Sequence, residues 1–106
     1  MTDKEVKNSP SAAIVYCANE LTPKQLDFCV RKESLVALTL CSDKLTAEQF
    51  DYCVRKMPWA ALRCCPHKLT PEQFDYCVLE SPGTALECNS DRLTEEQLDY
   101  CEKKIR

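Results

Sequence analysis

A nine-residue motif recurs four times with a 24-residue period, and this repeat constrains the fold more than any other feature of the chain. The motif reads LTPKQLDFC, LTAEQFDYC, LTPEQFDYC and LTEEQLDYC, starting at Leu21, Leu45, Leu69 and Leu93. The segments between the copies are also similar to one another. Self-similarity at a period of about 20–50 residues is typical of repeat proteins, in which stacked supersecondary units share a continuous core.

Each copy of the motif predicts the start of a helix, which we call the first helix of the repeat. Threonine is a preferred N-cap residue, and Gln three positions later completes a capping box. Proline follows the Thr in two copies, and the first turn of a helix tolerates its missing N–H. The motif therefore predicts helices that begin after Thr22, Thr46, Thr70 and Thr94.

The segments before the motifs predict a shorter second helix in each repeat. Ser81 followed by Pro82 has the pattern of an N-cap and a first helical residue, while Ala61, Leu62 and Cys65 fall on one helical stripe. A helix of about eight residues is not stable alone, so it must be held by packing. We therefore predict an all-α fold, an α-solenoid of about four 24-residue two-helix repeats.

Composition and charge narrow the class of protein. We expect a single helical-repeat domain over residues 9–106, preceded by a polar N-terminal arm over residues 1–8. The net charge of −3, from 14 Lys and Arg against 17 Asp and Glu, disfavours direct nucleic-acid binding. No apolar run approaches the roughly 18 residues of a membrane span, and the polar start lacks the apolar stretch of a secretory signal. We expect a cytoplasmic protein with no membrane partner.

The segment PWAALRCCPHKLTPEQFDYC, residues 58–77, resembles the leucine-rich variant repeats of bacteria. In that family each unit pairs an α-helix with a 3₁₀-type helix, and the units stack into a superhelix, so the resemblance implies a similar fold here. The chain departs from the family by placing Cys where Leu or Ala is usual. The matching residues are Pro58, Ala61, Leu62, Pro66, Thr70, Pro71, Glu72, Phe74 and Cys77.

The nine cysteines are the most unusual part of the composition. An odd count without a secretory signal disfavours a disulfide framework. Free cysteine is among the most buried residue types, so we interpret the seven cysteines that follow the repeat as core positions. These are Cys29, Cys53, Cys77 and Cys101 on the first helices, and Cys17, Cys41 and Cys65 on the second.

A metal-binding or thiol-redox site is the alternative function that the sequence leaves open. Cys64, Cys65 and His67 lie within four residues, and Cys88 follows Cys64 by one period. Thiolates and imidazole are the ligands that zinc prefers, although the C-x₂-C pair typical of zinc sites does not occur. Our main prediction is that the protein has no cofactor.

No arrangement of residues points to catalysis. A single glycine excludes a Gly-rich phosphate loop, and the single histidine has no evident partner to make it a base. We predict that the chain is not an enzyme but a protein–protein interaction module. A small acidic binder of this kind fits an inhibitor or an adaptor, including one of phage or mobile-element origin that occupies a basic groove.

Two rows of first-helix side chains are predicted to point away from the core and to contact a partner. At 100° per residue, the aromatic and acidic positions of the motif lie well away from the core stripe. The alternative is that the rings pack between neighbouring repeats and that the carboxylates favour the helix N-termini. The candidates are Tyr52, Tyr76, Asp51 and Asp75.

Met57 and Trp59 depart from the repeat, because the equivalent positions of the other copies hold different residue types. Together with Arg63 they predict a binding hot spot, because Trp, Met and Arg are enriched in protein interfaces. The alternative is that Trp59 fills a gap beside the following repeat.

Overall fold

A computed structural model describes residues 2–40 and 42–105, without the side chains of Cys17 and Ala18. Over these residues the chain is all-α, as predicted, with nine α-helices, four 3₁₀ turns and no strand. None of the described helices combines the length and the apolar character that crossing a membrane requires. The α-helices are α1 (Asp3–Asn8), α2 (Pro10–Cys17), α3 (Pro23–Lys32), α4 (Ser34–Leu40), α5 (Ala47–Lys56), α6 (Pro58–Cys64), α7 (Pro71–Glu80), α8 (Pro82–Asn89) and α9 (Glu95–Ile105).

The helix boundaries follow the 24-residue period of the sequence. First helices start at residues 23, 47, 71 and 95, and second helices start at residues 10, 34, 58 and 82. The 3₁₀ turns 18–20, 42–44, 66–68 and 90–92 separate each second helix from the next first helix. Equal sequence spacing therefore produces equal spacing of the local structure.

The predicted capping boxes are present in all four motifs. The Gln25 amide N–H donates to Thr22 Oγ1 at 3.2 Å, and Thr22 N–H donates to Gln25 Oε1 at 3.0 Å. The same reciprocal pair of bonds forms at the other three motif threonines. At the second helices Ser81 occupies the predicted N-cap position of α8, but its side chain makes no capping bond. Proline at the first helical position fixes that start instead.

The chain divides into two compact units, residues 1–53 and 54–106, with the boundary inside α5. In the first unit α2 packs against α1, α3 and α4. Its core consists of small and medium apolar side chains, with Ile14, Val30 and Leu38 among the largest. In the second unit α8 packs against α6, α7 and α9, around a core that includes Leu62 and Val78.

Helix α1 lies in the segment for which the sequence predicted only a polar arm. Its Val6 side chain is buried, and Asp3 Oδ1 accepts a hydrogen bond from Gln25 Nε2 at 2.9 Å. Asp3 and Val6 precede Asp27 and Val30 by one repeat period, so α1 continues the repeat toward the N-terminus in shortened form. The composition of this segment did not indicate a helix, because five of its six residues are polar or charged.

The predicted core role of the cysteines is confirmed wherever the side chains are described. Cys29, Cys53, Cys77 and Cys101 are fully buried on first helices, and Cys65 is buried after a second helix. Burial raises the pKa of Cys77 to about 12, with a smaller contribution from Cys65, and it also raises the pKa values of Cys65 and Cys101. These thiols are therefore protonated and unreactive near neutral pH. The predictions for Cys41 and the Cys17 side chain lie outside the described residues.

Candidate interaction surface

The candidate aspartate Asp75 makes a contact between two first helices of the second unit. In the second unit Gln97 Nε2 donates to Asp75 Oδ1 at 3.2 Å, which joins α9 to α7. In the first unit Gln49 Nε2 donates to Asp27 Oδ1 at 3.1 Å in the same way. This bond lowers the pKa of Asp27, and the Arg31 guanidinium adds to the effect. Asp51 is half-buried on α5.

The candidate tyrosines are half-buried between first helices, as the alternative interpretation expected. Tyr76 Oη donates to the Arg55 carbonyl oxygen at 3.4 Å, and the Arg55 guanidinium carbon lies 5.0 Å from the ring centroid. The guanidinium of Arg31 lies over the Tyr52 ring at 4.8 Å. Each ring therefore fills a flank of its own unit, and a partner contact by Tyr52 or Tyr76 stays a prediction.

Trp59 is an exposed apolar side chain of the second unit, as are two residues that sequence reasoning did not select. The exposed fractions are 42% for Trp59, 48% for Leu79 and 57% for Ile105. We call these three side chains the Trp59 patch. Met57 is half-buried at the N-cap of α6, and Arg63 pairs with Glu87 at 3.4 Å.

Contacts within the second unit relate the helices that carry the Trp59 patch. Arg63 on α6 and Glu87 on α8, one repeat period apart, form an ion pair, so these two helices are neighbours. A Cβ atom placed on Gly83 would lie 3.9 Å from Ile105 Cγ2, which places Ile105 close to α8. Leu79 lies in the last turn of α7, just before α8 begins, and Tyr100 Oη on α9 donates to the Leu79 carbonyl oxygen at 3.2 Å.

Leu79 departs from the repeat at an exposed position. The positions one and two periods earlier hold Arg55 and Arg31, whose guanidinium groups cover the tyrosine of the following first helix. A cation is also favoured in the last turn of a helix by the helix dipole. Leu79 supplies neither interaction, and its exposure leaves much of its apolar surface without protein contact. Comparison of the repeats could have found this signal, because Leu replaces Arg at an equivalent position and loses both interactions.

Basic side chains lie in the last turns of two first helices. Arg55 and Lys56 end α5, and Lys103 and Lys104 lie in the last turn of α9, whereas Glu80 is the acidic residue that ends α7. Lys103 Nζ also contacts Asp99 Oδ2 at 2.9 Å. Glu102 precedes Lys103 and Lys104 in α9, and Lys104 Nζ lies 5.7 Å from the Tyr100 ring centroid. Acidic and aromatic groups therefore accompany the basic residues at these helix ends.

The four candidate metal ligands do not form a ligand cluster. Cys64, His67 and Cys88 are exposed, whereas Cys65 is buried. Over residues 2–40 and 42–105 no group of three or more His, Cys, Asp or Glu side chains is arranged to hold a metal ion. The exposed thiols Cys64 and Cys88 occupy equivalent positions of the repeat, on the helices α6 and α8.

The first unit has an apolar surface of its own, which sequence reasoning also missed. Tyr16 is 82% exposed on α2 and Leu40 is 61% exposed on α4, at equivalent positions of successive repeats. Val15 and Leu35 are also exposed on these two helices, which pack against each other. Neither helix contains a charged residue, and this absence was the available signal.

Comparison of the chain with protein-family models, curated proteins and solved structures finds no match. The resemblance to leucine-rich variant repeats therefore stays a prediction.

Proposed function

We propose that the chain is a four-repeat α-solenoid that acts as a non-enzymatic protein-binding module, with the Trp59 patch as a contact surface for its partner. The observation that carries the proposal is the exposure of Trp59, Leu79 and Ile105 in the second unit. Contiguous exposed apolar patches are rare on the surfaces of monomeric proteins, and where they occur they mark interaction sites. Trp is also among the residues most enriched in binding hot spots.

The proposal favours some of the sequence-predicted contact residues over others. Trp59 and Arg63 are exposed and Met57 is half-buried, so they remain the favoured contacts. Tyr76 and Asp75 already make bonds to neighbouring helices of their own unit, and their substitution would disturb folding as well as binding. An adaptor and an inhibitor would both use such a surface.

The test is affinity capture from the source cell with matched variants. Trp59→Ala and Leu79→Gln remove the patch, while Leu35→Ala and Leu40→Gln make comparable changes on the first unit. We expect one or more proteins to be retained by the wild-type chain and by both control variants, and lost by both patch variants. Equal retention by all five chains would contradict the assignment of the surface, provided that circular dichroism shows all of them folded.

The alternative, metal or thiol-redox chemistry at Cys64, Cys65, His67 and Cys88, has its own test. Elemental analysis of protein purified without chelator would have to show stoichiometric metal, and chelation would have to alter folding. A thiol-redox role would require that mild oxidation consume Cys64 and Cys88 together. The present arrangement favours neither result, because the four side chains do not form a ligand group within the described part of the chain.

A further inference from the structure

The exposed apolar surface of the first unit fits a second copy of the same chain. We propose that the outer sides of α2 and α4 pair with the same surface of a second copy, which gives a symmetric dimer. We call this surface the α2–α4 face, and its exposed members are Val15, Tyr16, Leu35, Thr39 and Leu40. It shares no residue with the Trp59 patch, so its failure as an interface would leave the proposed binding function standing.

Helices α2 and α4 are apolar on the side that faces solvent as well as on the side that faces the core. Ile14 of α2 and Leu38 of α4 are buried in the core of the first unit. Tyr16 and Leu40 lie away from that core and are the most exposed large apolar side chains of the unit. A helix that is apolar all round is usually buried on all sides. Within residues 2–40 and 42–105 the outer side of these two helices stays exposed, so a second molecule is expected to cover it.

The small polar residue of the α2–α4 face, Thr39, already has a hydrogen-bond partner in its own helix. Its Oγ1 donates to the carbonyl oxygen of Leu35 at 3.0 Å, and the carbonyl oxygen of Val36 lies at 3.2 Å. Burying a hydroxyl is costly when its hydrogen bond to water is not replaced. Because the Thr39 bond is internal, a partner can cover this residue without leaving its donor unpaired.

The second unit shows a charged alternative at the same repeat positions. Arg63 and Glu87 stand two periods after Val15 and Thr39, and they form an ion pair at 3.4 Å. Both side chains of this pair are well exposed, at 50% and 70%. Exposed charges of both signs keep a surface soluble and oppose association. The first unit has an uncharged residue at each position, so its outer side lacks this protection.

The absence of charge makes the α2–α4 face compatible with its own copy. In a two-fold symmetric contact both chains use the same surface, so a charged residue near the axis lies close to an identical charge. Neither α2 nor α4 contains a charged residue, so two chains that each carry a net charge of −3 can meet here without like charges in contact. The 3₁₀ turns that follow the two helices carry both signs, and such a rim can be matched by its own copy. These rim residues are Glu20, Asp43 and Lys44.

The size of the face indicates a weak dimer. From their exposed fractions, the four apolar side chains present roughly 400–500 Å² of surface, whereas each partner of a standard interface contributes about 800 Å². The half-buried Ala12 and Val36 extend the contact on the same two helices. We therefore expect a dissociation constant on the order of 1–100 μM.

The test is sedimentation velocity of the full chain at about 5 to 500 μM, a range that spans the expected dissociation constant. A reducing agent prevents the exposed thiols Cys64 and Cys88 from linking two copies. We expect the average mass to rise with concentration from that of one chain toward that of two. The decisive variant combines Val15→Arg with Thr39→Glu, because the second unit is folded with this pair at the equivalent positions. It should stay monomeric over the whole range.

Single substitutions at exposed positions keep the test valid if circular dichroism shows that the double variant does not fold. Tyr16→Ser and Leu40→Gln should each raise the dissociation constant about tenfold or more, because large side chains at the centre of an interface dominate its energy. The matched controls Trp59→Ala and Leu79→Gln should leave it unchanged.

Four results would overturn the inference. The wild-type chain could stay monomeric over the whole range, its dimer could tolerate all of the α2–α4 variants, or its dimer could require Trp59 instead. A monomeric chain that binds another protein or phospholipid vesicles, and that loses this binding in the double variant, would assign the α2–α4 face to a different partner.

Discussion

The bond between Gln49 and Asp27 predicts that a substitution favourable by helix propensity will destabilise this protein. Glutamate is the usual alternative to Gln at the third position of a capping box, and a negative charge near a helix N-terminus is favourable by about 0.3–1 kcal/mol. In this chain Gln49 Oε1 accepts from Thr46 N–H at 3.1 Å, a bond that a carboxylate would keep. Its Nε2, however, donates to Asp27. Gln49→Glu turns that donor into a second carboxylate.

The expected cost follows from these two contacts. A hydrogen bond to a charged acceptor contributes about 1.5–3 kcal/mol, and it is lost. Two carboxylates about 4 Å apart repel by about 4 kcal/mol at an effective dielectric constant near 20, although separation of the two side chains and solvent access to Asp27 reduce this. After the dipole gain is subtracted, we expect Gln49→Glu to lower the free energy of unfolding by about 2–3 kcal/mol at pH 7. This corresponds to a fall in Tm of roughly 10–20 °C for a domain of this size.

The assay is urea unfolding followed by circular dichroism from pH 3.5 to pH 7. One of two carboxyls that share a site binds a proton more tightly, and a protonated carboxyl again donates to Asp27. The pKa of the shared pair is raised in the folded variant, so its stability relative to the wild type is retained at low pH and lost as the pH rises. Ala47→Glu is the control, because it adds the same charge to the first turn of α5 without removing the bond to Asp27. The second substitution Asp27→Asn should restore much of the stability of Gln49→Glu. A Gln49→Glu variant as stable as the Ala47→Glu control at pH 7, or a deficit that does not shrink on acidification, would refute the reasoning.

Three further predictions concern other parts of the chain. The first concerns the cysteines with described side chains, whose labelling by iodoacetamide is measured by peptide mass spectrometry. We expect the exposed Cys64 and Cys88 to react in the native protein, and the buried thiols to react only after unfolding, namely Cys29, Cys53, Cys65, Cys77 and Cys101. Fast labelling of Cys77 in the native protein would contradict its burial. Because the pKa of Cys77 rises from 9.0 to about 12 on folding, its contribution is fully present below pH 9 and is lost as the pH rises toward 12, by about 1.4 kcal/mol per pH unit. Urea midpoints between pH 8 and pH 10.5 should therefore fall less steeply for Cys77→Val than for the wild type, and parallel curves would exclude Cys77 as a cause. Val6→Ala should lower the free energy of unfolding by about 1–3 kcal/mol, because it leaves a cavity beneath α1. The control Lys4→Ala, at an exposed position of the same helix, should lower it by less than about 0.5 kcal/mol. Equal effects of the two substitutions would show that α1 is not part of the folded core.

The repeat allowed the helices to be predicted because its signals are local. Thr22 and Gln25 lie in one turn, so their capping box is visible in the sequence without knowledge of any neighbour. The surface could not be predicted in the same way. Whether Tyr76 faces a partner or the Arg55 carbonyl depends on the offset between successive helices, which the period alone does not give. The exposure of Leu79 depends on the same offset.

Trp59 and Leu79 both depart from the repeat, but the sequence points only to Trp59. Trp59 is predicted as a contact because it breaks the repeat and because Trp is enriched in protein interfaces. Leu79 also breaks the repeat, but its informative property is an apolar side chain at an exposed position, and that exposure is visible only in the structure. Asp3 and Val6 were overlooked because the polar composition of residues 1–8 outweighed their agreement with the 24-residue register.

The Gln and Asp contacts have a consequence for how such a chain can change its length. In three contacts the amide N–H of a Gln donates to the carboxylate of an Asp one repeat earlier, namely Gln25 with Asp3, Gln49 with Asp27 and Gln97 with Asp75. Duplication or deletion of one whole repeat in register would add or remove one donor and one acceptor together. No buried side-chain nitrogen or oxygen within the described residues lacks a partner at the present length. Growth by tandem duplication would preserve that balance without compensating mutations, whereas an insertion of any other length would leave a carboxylate or an amide without its partner.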